Sequence, residues 1–247
     1  MTIPRFPLPD GQPVDGKVTL SGSTYKHLAK VLRAKPGDPV SFYGRDGYEY
    51  PSVIENISKK EVICITGQRI KKGEEPDPKI TLFQGLLKRD KMDLLIEKAA
   101  ELGVYKIIPI ITERSEVRLS EGKIDPKLRH WRKIAESATS QSRRAFIPLI
   151  EPPISFRKVI LSLNPVCPNL FLSENTSRGS LKEAIRKLKS SEGIAIMVGP
   201  PGGFSSAEVA EAEGKGLTSV SLKGRILRSE TAAISVLSIV QYEFGNL

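Results

Sequence analysis

Ile194-Ala-Ile-Met-Val198 runs without a break into Gly199-Pro-Pro-Gly-Gly-Phe204, and that loop leads straight into Ser205-Ser-Ala-Glu208. Five apolar residues in a row read as a strand buried on both faces. Ser205, with Glu208 three positions on, has the capping-box pattern of a helix N-terminus. Between them, three glycines and two prolines make a stiff loop whose backbone a ligand can approach closely. Strand, loop and helix in that order form one unit of a parallel α/β sheet, and such sheets take ligands at the carboxyl ends of their strands. No Gly-Lys-Ser/Thr follows and G-x-G-x-x-G spacing is absent, so the loop is neither a P-loop nor a dinucleotide fingerprint. A merely structural tight turn is the other reading of the same residues.

Outward from this unit, strands and helices alternate from residue 80 to the C-terminus. Ile80 to Gln84, Lys106 to Ile111, Leu170 to Ser173 and Thr218 to Leu222 read as further strands. Helices are predicted at Lys91 to Leu102 with Asp90 as N-cap, Pro126 to Arg143 with Pro126 at the start, Leu181 to Leu188, and Glu230 to Phe244 with Ser229 as N-cap. Ser180-Leu-Lys-Glu183 repeats the capping-box pattern. The alternation indicates a mainly parallel sheet covered by helices. The final helix is apolar over most of its length, so it is expected to pack against the sheet or another subunit.

Upstream, the polar stretch Lys71 to Lys79 with Pro76 and Pro78 reads as a linker. Before it come short strands at Lys17 to Leu20, Val40 to Tyr43, Tyr48 to Ile54 and Glu61 to Ile65, with a Gly44-Arg45-Asp46-Gly47 turn and one helix at Ser23 to Leu32. That pattern predicts a small antiparallel β-barrel. Two domains are therefore expected, residues 1–73 and 74–247.

The chain has 247 residues, 39% of them hydrophobic and 27% charged, a balance that excludes a disordered tail. No apolar run approaches the ~18–20 residues of a membrane span, and the N-terminus lacks the apolar core of a signal peptide. A cytoplasmic protein is expected. Two distant cysteines, Cys64 and Cys167, cannot build a disulfide framework or a Cys-x-x-Cys site, and two histidines are too few for a His-based metal site. Both cysteines read as core fillers, and no metal is expected. The net charge is +10, with 12 basic and 9 acidic side chains in residues 1–75 and 26 and 19 in the remainder. Its densest stretch, Lys127 to Arg144, sets six cationic residues against Glu136 alone. Such a patch attracts nucleic acid by phosphate pairing and counterion release. A solvated basic helix face is the plainer reading.

Two further constellations bear chemistry. In Ser221 to Ala233, Arg225, Arg228, Glu230 and Thr231 crowd the start of the last helix, whose free N–H groups can hold an anion; the plainer reading is that Glu230 and Thr231 only cap the helix while the arginines are solvated. Glu101 to Val104, Thr112-Glu113-Arg114-Ser115 and Gln141-Ser142-Arg143-Arg144 supply groups for phosphate and sugar. Trp131, at helical spacing from Leu128 and Ala135, reads as core, and His27 as a surface residue rather than a catalyst.

The stretches His27-Leu-Ala-Lys-Val-Leu-Arg33, Lys98-Ala-Ala-Glu-Leu-Gly103, Trp131-Arg-Lys-Ile134 with Gln141-Ser-Arg143, Gly199 to Phe204, and Ile226 to Ala232 resemble a known family in order and spacing. It is the RsmE group of the SPOUT superfamily, ribosomal small subunit RNA methyltransferases that modify N3 of a uridine. The resemblance spans nearly the whole chain, and Ile226-Leu-Arg-Ser-Glu-Thr-Ala232 is its specific part. It implies an N-terminal PUA-like β-barrel, a C-terminal SPOUT α/β domain tied in a trefoil knot, and S-adenosyl-L-methionine as cofactor. It also implies a homodimer with the active site at the subunit interface, acting on 16S ribosomal RNA or the assembling small ribosomal subunit. Matched residue by residue, the cofactor pocket takes Leu172, Ser173, Glu174, Val198, Gly199, Pro200, Gly202, Gly203, Leu222, Gly224, Ile226 and Leu227. Arg228 takes the catalytic position. The family's Gly-Pro-Glu-Gly-Gly has Pro201 in place of Glu here, and its Leu-Gly-x-Arg has become Leu222-Lys223-Gly224-Arg225.

RNA contacts are expected from Arg5, Lys26, Lys30 and Arg33 in the barrel, and from Arg114, Arg129, Arg132, Arg143 and Arg144 beyond it. Methyl transfer from a sulfonium is an in-line displacement, so the protein orients the partners and handles the N3 proton. Arg228 or helix N–H groups are placed to stabilise the uracil anion, and no residue stands out as the base. Rival readings are a non-enzymatic RNA-binding or ribosome-assembly protein on the same fold and, less well fitting, a small-molecule enzyme using the glycine loop.

Overall fold

The computed structural model describes residues 3–9, 13, 15–44, 46–72, 77–117, 119–163, 169–173, 179–188, 193–222 and 225–247. Its contacts form two units: Met1–Glu75 with Thr139–Ile147, and Pro76–Ala138 with Pro148–Leu247. The division falls between Glu75 and Pro76, and a second segment from the middle of the chain joins the first unit.

The first unit is built on β1 (Arg5–Pro7), β2 (Lys17–Ser21), β3 (Pro39–Tyr43), β4 (Tyr48–Ile57), β5 (Glu61–Thr66) and β6 (Ile70–Lys71). Strict alternation makes β2 a half-buried strand, with Val18 and Leu20 inward and Lys17, Thr19 and Ser21 outward. The sheet order is β1-β3-β4-β5-β2, with β6 on β4. β1 and β2 lie at the ends of this path, so the sheet is a half-barrel. It is also not wholly antiparallel: β1, which carries no sequence alternation long enough to read, pairs parallel with β3. Phe42, Ile54, Val62, Tyr50 and Leu28 fill its core. Cys64 lies there too, and burial pushes its thiol up to about 11, so it is inert filler. Cys167 lies outside the described residues.

The helix expected at Ser23 to Leu32 is divided. α1 (Gly22–Lys26) continues into a π turn at His27–Val31, where the Leu32 N–H reaches back to the His27 carbonyl, and Arg33 then turns the chain at φ +52°.

Arg5 serves this unit from within. Its Nε donates to Glu49 Oε1 at 2.9 Å, its Nη1 to the Ser140 carbonyl at 3.3 Å and its Nη2 to the Arg144 carbonyl at 3.2 Å. The guanidinium also lies over the Tyr43 ring. With its hydrogen bonds directed to the protein and its side chain only 13% exposed, Arg5 acts here as a structural tie.

Among the described residues the second unit holds a seven-stranded, all-parallel sheet. Its strands are β7 (Ile80–Gly85), β8 (Lys106–Ile111), β9 (Leu149–Ile150), β10 (Ile154–Ser155), β11 (Asn169–Leu172), β12 (Ile194–Val198) and β13 (Thr218–Val220). The order is β10-β8-β7-β12-β11-β13, with β9 on β8, so β12 is central, as its unbroken apolar run requires. Helices α2 (Arg89–Glu101), α3 (Glu121–Gln141), α4 (Phe156–Ser162), α5 (Leu181–Ile185), α6 (Ser206–Gly214) and α7 (Ser229–Glu243) connect them.

Ile80, Leu82, Ile194, Ile196 and Val198 face one core with Met92, Leu95, Ile96, Trp131, Val236, Leu237 and Val240 from α2, α3 and α7. Phe83 and Met197 face the other, with Phe156, Val159 and Ile160 of α4 and Ala212 of α6. Trp131 is buried, as read from its spacing; truncating such a residue costs ~3–5 kcal/mol. α3 starts five residues before Pro126, which stands inside the helix and not at its start. α4 carries only two turns, too short to read from periodicity. No helix among the described residues is long and apolar enough to cross a membrane.

Candidate functional site

Five segments meet at the carboxyl ends of β8, β11, β12 and β13 and enclose a cavity of about 340 Å³. They are Arg114 after β8, Leu172 and Ser173 at the end of β11, Val198 to Phe204 after β12, Val220 to Leu222 with Arg225 to Leu227 after β13, and Ser229 and Ala232 of α7. Of the cofactor positions expected from sequence, Leu172, Ser173, Val198, Gly199, Pro200, Gly202, Gly203, Leu222, Ile226 and Leu227 all line it. Glu174 and Gly224 lie outside the described residues.

The loop after β12 is a close-packed turn. The Gly203 N–H donates to the Pro200 carbonyl at 2.8 Å, closing a four-residue turn in which Pro201 is second. Proline presets the φ needed at that position, so Pro201 keeps the turn although it removes a carboxylate. A Cβ on Gly199 would lie 3.2 Å from the Gly203 backbone, and one on Gly85 only 2.3 Å from the Pro200 nitrogen. Glycine at both places lets the loop fold on itself and lie against the end of β7.

Side chains from three directions hold this loop. Arg114 Nη1 donates to the Gly202 carbonyl at 3.1 Å. The Ser229 hydroxyl donates to the Gly199 carbonyl, and Gln84 Nε2 donates to Ser229 Oγ at 2.9 Å. Downstream, Glu208 is buried and accepts from the Ser205 N–H through one oxygen and the Glu113 N–H through the other, both at 2.9 Å. The expected capping box at Ser205 is present, and its Glu208 also fixes the Thr112-Glu113-Arg114-Ser115 turn, which is closed by Thr112 N–H to Ser115 Oγ at 3.0 Å.

The start of α7 differs from expectation by one residue. Arg228 is the N-cap, in extended conformation with ψ 151°, so Ser229 is the first helical residue and its hydroxyl is directed to the loop. Arg228 is exposed beside the cavity but is not part of its wall. Glu230 is buried and paired with Lys91 Nζ at 3.4 Å, in the first turn where the helix dipole favours a carboxylate. Gln84 and Gly85 gave no signal beyond their place at a strand end, and Ser229 resembled an ordinary cap.

The residues expected to touch RNA are distributed over both units. Lys26, Lys30 and Arg33 are exposed on α1, the π turn and the residues after it; Arg143 is exposed and Arg144 half-buried in the same unit. In the other unit Arg129 and Arg132 are exposed on α3, and Arg132 also donates to the Ile150 carbonyl at 3.1 Å. His27 is exposed and edge-on to Phe6.

Residues 74–241 match the RNA methyltransferase domain, and residues 20–66 the RNA methyltransferase PUA domain. Ribosomal RNA small subunit methyltransferase E of Mesomycoplasma hyopneumoniae is 32% identical over 219 residues, 89% of this chain and 91% of that protein. Among solved structures, ribosomal RNA small subunit methyltransferase E from Neisseria gonorrhoeae bound to S-adenosyl methionine is 30% identical, with a TM-score of 0.86 and 98% of each chain covered. A methyltransferase from Legionella pneumophila, in complex with its bound cofactor SAM, is 29% identical, with a TM-score of 0.89 and the same coverage. Matched over both units and along nearly its full length, the chain belongs to the ribosomal RNA small subunit methyltransferase E family.

Proposed function

We propose that this chain is an S-adenosylmethionine-dependent methyltransferase that modifies N3 of a uridine in the 16S RNA of the small ribosomal subunit. The observation that carries the reading is the cavity at the strand ends. Its volume lies within the usual range of about 300–1,000 Å³ for small-molecule sites, and its walls combine aliphatic side chains with a glycine-rich backbone held by Arg114 and Ser229. Those residues fit the cofactor: Leu172, Val198, Leu222, Ile226 and Leu227 offer apolar cover, while Ser173 and the loop offer polar groups. When bound, S-adenosylmethionine supplies an electrophilic methyl group on a sulfonium.

The protein's own part is orientation and charge. N3 gives up its proton to solvent water, and Arg228 holds the resulting anion, its guanidinium facing the negative charge spread over the flanking carbonyl oxygens. The N–H groups of the first α7 turn add to that field. Arg114 and Arg225, both exposed at the cavity, take phosphates of the same strand. Lys26, Lys30 and Arg33 supply the PUA unit's share of RNA binding, with Arg129, Arg132, Arg143 and Arg144. Mapping methylated uridines by mass in ribosomal RNA from cells with and without the protein tests the assignment. An unchanged map would overturn it.

The proposal includes a homodimer in the cytoplasm, where small subunits are assembled. Ile239 and Tyr242 are exposed on α7, and a second copy would cover them; a monomer in sedimentation equilibrium would refute this part. It also includes the trefoil knot. The chain leaving β12 passes Gly85 at contact distance, and the start of α7 is bonded back to the same loop, the layering that a threaded crossing requires.

A further inference from the structure

The Gly199-Pro200 peptide has an unusual handle. Pro200 has no N–H, so the carbonyl of Gly199 is the only hydrogen-bonding group by which this peptide plane can be fixed. That carbonyl accepts from the Ser229 hydroxyl. Gln84 Nε2 backs the hydroxyl at 2.9 Å and reaches the Gly85 and Gly199 carbonyls at 3.0 and 3.4 Å. Gln84 is wholly buried at the end of β7, and its Oε1 has no partner among the described residues. The donor end of its amide is thus satisfied at the expense of its acceptor end, in an interior where an unpaired acceptor is costly. A side chain kept for core stability alone would gain by being apolar.

We propose that Ser229 and Gln84 are positioning residues for the cofactor. Gln84 orients the Ser229 hydroxyl, and that hydroxyl turns the Gly199 carbonyl away from ligand, so the loop presents its cofactor-binding face. Because Ser229 follows Arg228 directly, the same bond joins the cofactor loop to the turn that carries the catalytic guanidinium. Cofactor affinity therefore depends on a hydroxyl at residue 229 and an amide donor at residue 84. The inference rests on the reading of this cavity as the S-adenosylmethionine site.

The test compares S229T with S229V, two side chains of nearly equal shape of which only one has a hydroxyl, and adds Q84M. The readouts are calorimetric cofactor binding, steady-state methylation of small-subunit RNA, and thermal unfolding. S229V and Q84M should raise the cofactor Kd and KM about tenfold, the worth of one buried hydrogen bond. S229T should bind within about twofold of the parent. A role confined to stability would instead lower Tm and the active fraction, leaving KM unchanged, and would overturn the proposal. Equal cofactor affinity in S229T and S229V would overturn it too. Failure of the parent protein to bind S-adenosylmethionine would remove the cofactor reading itself, an outcome distinct from either.

Discussion

Arg114 Nη1 lies 3.1 Å from the Gly202 carbonyl, so a residue from the end of β8 latches the tip of the loop after β12. Gly202 has no side chain, and a Cβ there would lie 3.4 Å from that of Arg114; the latch closes against bare backbone. Arg114→Ala should leave stability within about 0.5 kcal/mol, because the contact is exposed. It should weaken S-adenosylmethionine binding several-fold by freeing the tip. Calorimetry and thermal unfolding on the same variant separate the two effects, and unaltered cofactor affinity would show that the latch is dispensable.

Arg228 stands outside the cavity wall, at the N-cap of α7. Its replacement by alanine should lower kcat by about 10²–10³, the usual loss when a group facing developing negative charge is removed. The cofactor Kd should be unchanged. Single-turnover methylation measures the first and calorimetry the second; methylation at the parent rate would exclude the assigned role.

Gly85→Ala sets a methyl group 2.3 Å from the Pro200 nitrogen. Backbone must shift, and destabilisation of about 1–3 kcal/mol is expected, with loss of cofactor affinity. Gly122→Ala is the control. Nothing lies within 4 Å of a Cβ there, and an alanine in the α3 helix should stabilise by about 0.5–1 kcal/mol. Urea unfolding of both variants should move in opposite directions.

Burial pushes the Glu49 carboxyl up, but hydrogen bonds from Ser41 and Arg5, the Arg5 charge and a bond from Lys72 outweigh it and hold the group below its ordinary value. A carboxylate depressed in the folded state stabilises above its unfolded pKa and loses that contribution as pH falls through its folded pKa. The PUA-like unit should therefore weaken on acidification below the ordinary carboxylate range. Glu49→Gln should be less stable at neutral pH and show a flatter acid limb. Parallel acid limbs for parent and variant would refute the linkage.

Lys30→Glu with Arg33→Glu should weaken RNA binding and flatten its dependence on salt. On single-stranded RNA the log–log slope should fall by about 0.7 for each phosphate that no longer has a cationic partner. Filter binding over a range of salt concentrations measures it. An unchanged slope would place the RNA elsewhere.

β12 was legible because five consecutive apolar residues have few other uses, and the parallel sheet followed from its neighbours. β1 and α4 were not legible, being too short for periodicity to act on. The loop after β12 was readable because glycines follow a strand end there, whereas Leu172, Ser173 and Leu222 came from the family resemblance. Gln84 was not: a polar residue at the end of an apolar strand looks like a turn signal, and only the fold sets it beside Ser229, 145 positions away. The structural ties of Arg5 were hidden for the converse reason. Among many basic residues nothing distinguishes the one whose acceptors come from Ser140 and Arg144.

That distant pairing sets an order of events. Arg5 meets Glu49 within the first 75 residues, but its carbonyl acceptors lie 135 and 139 positions downstream. On a translating ribosome the half-barrel can close its sheet early and cannot seat Arg5 fully until Arg144 has emerged, when residues 76–138 of the methyltransferase unit are already outside the exit tunnel. Domain-by-domain folding from the N-terminus is therefore interrupted here: the first unit to begin waits for a segment of its own that is made only after residues 76–138 of the second. A gene fragment ending at Glu75 would yield a half-barrel without Thr139–Ile147, and residues 76–247 alone would carry that segment with nothing of its own unit to pack on.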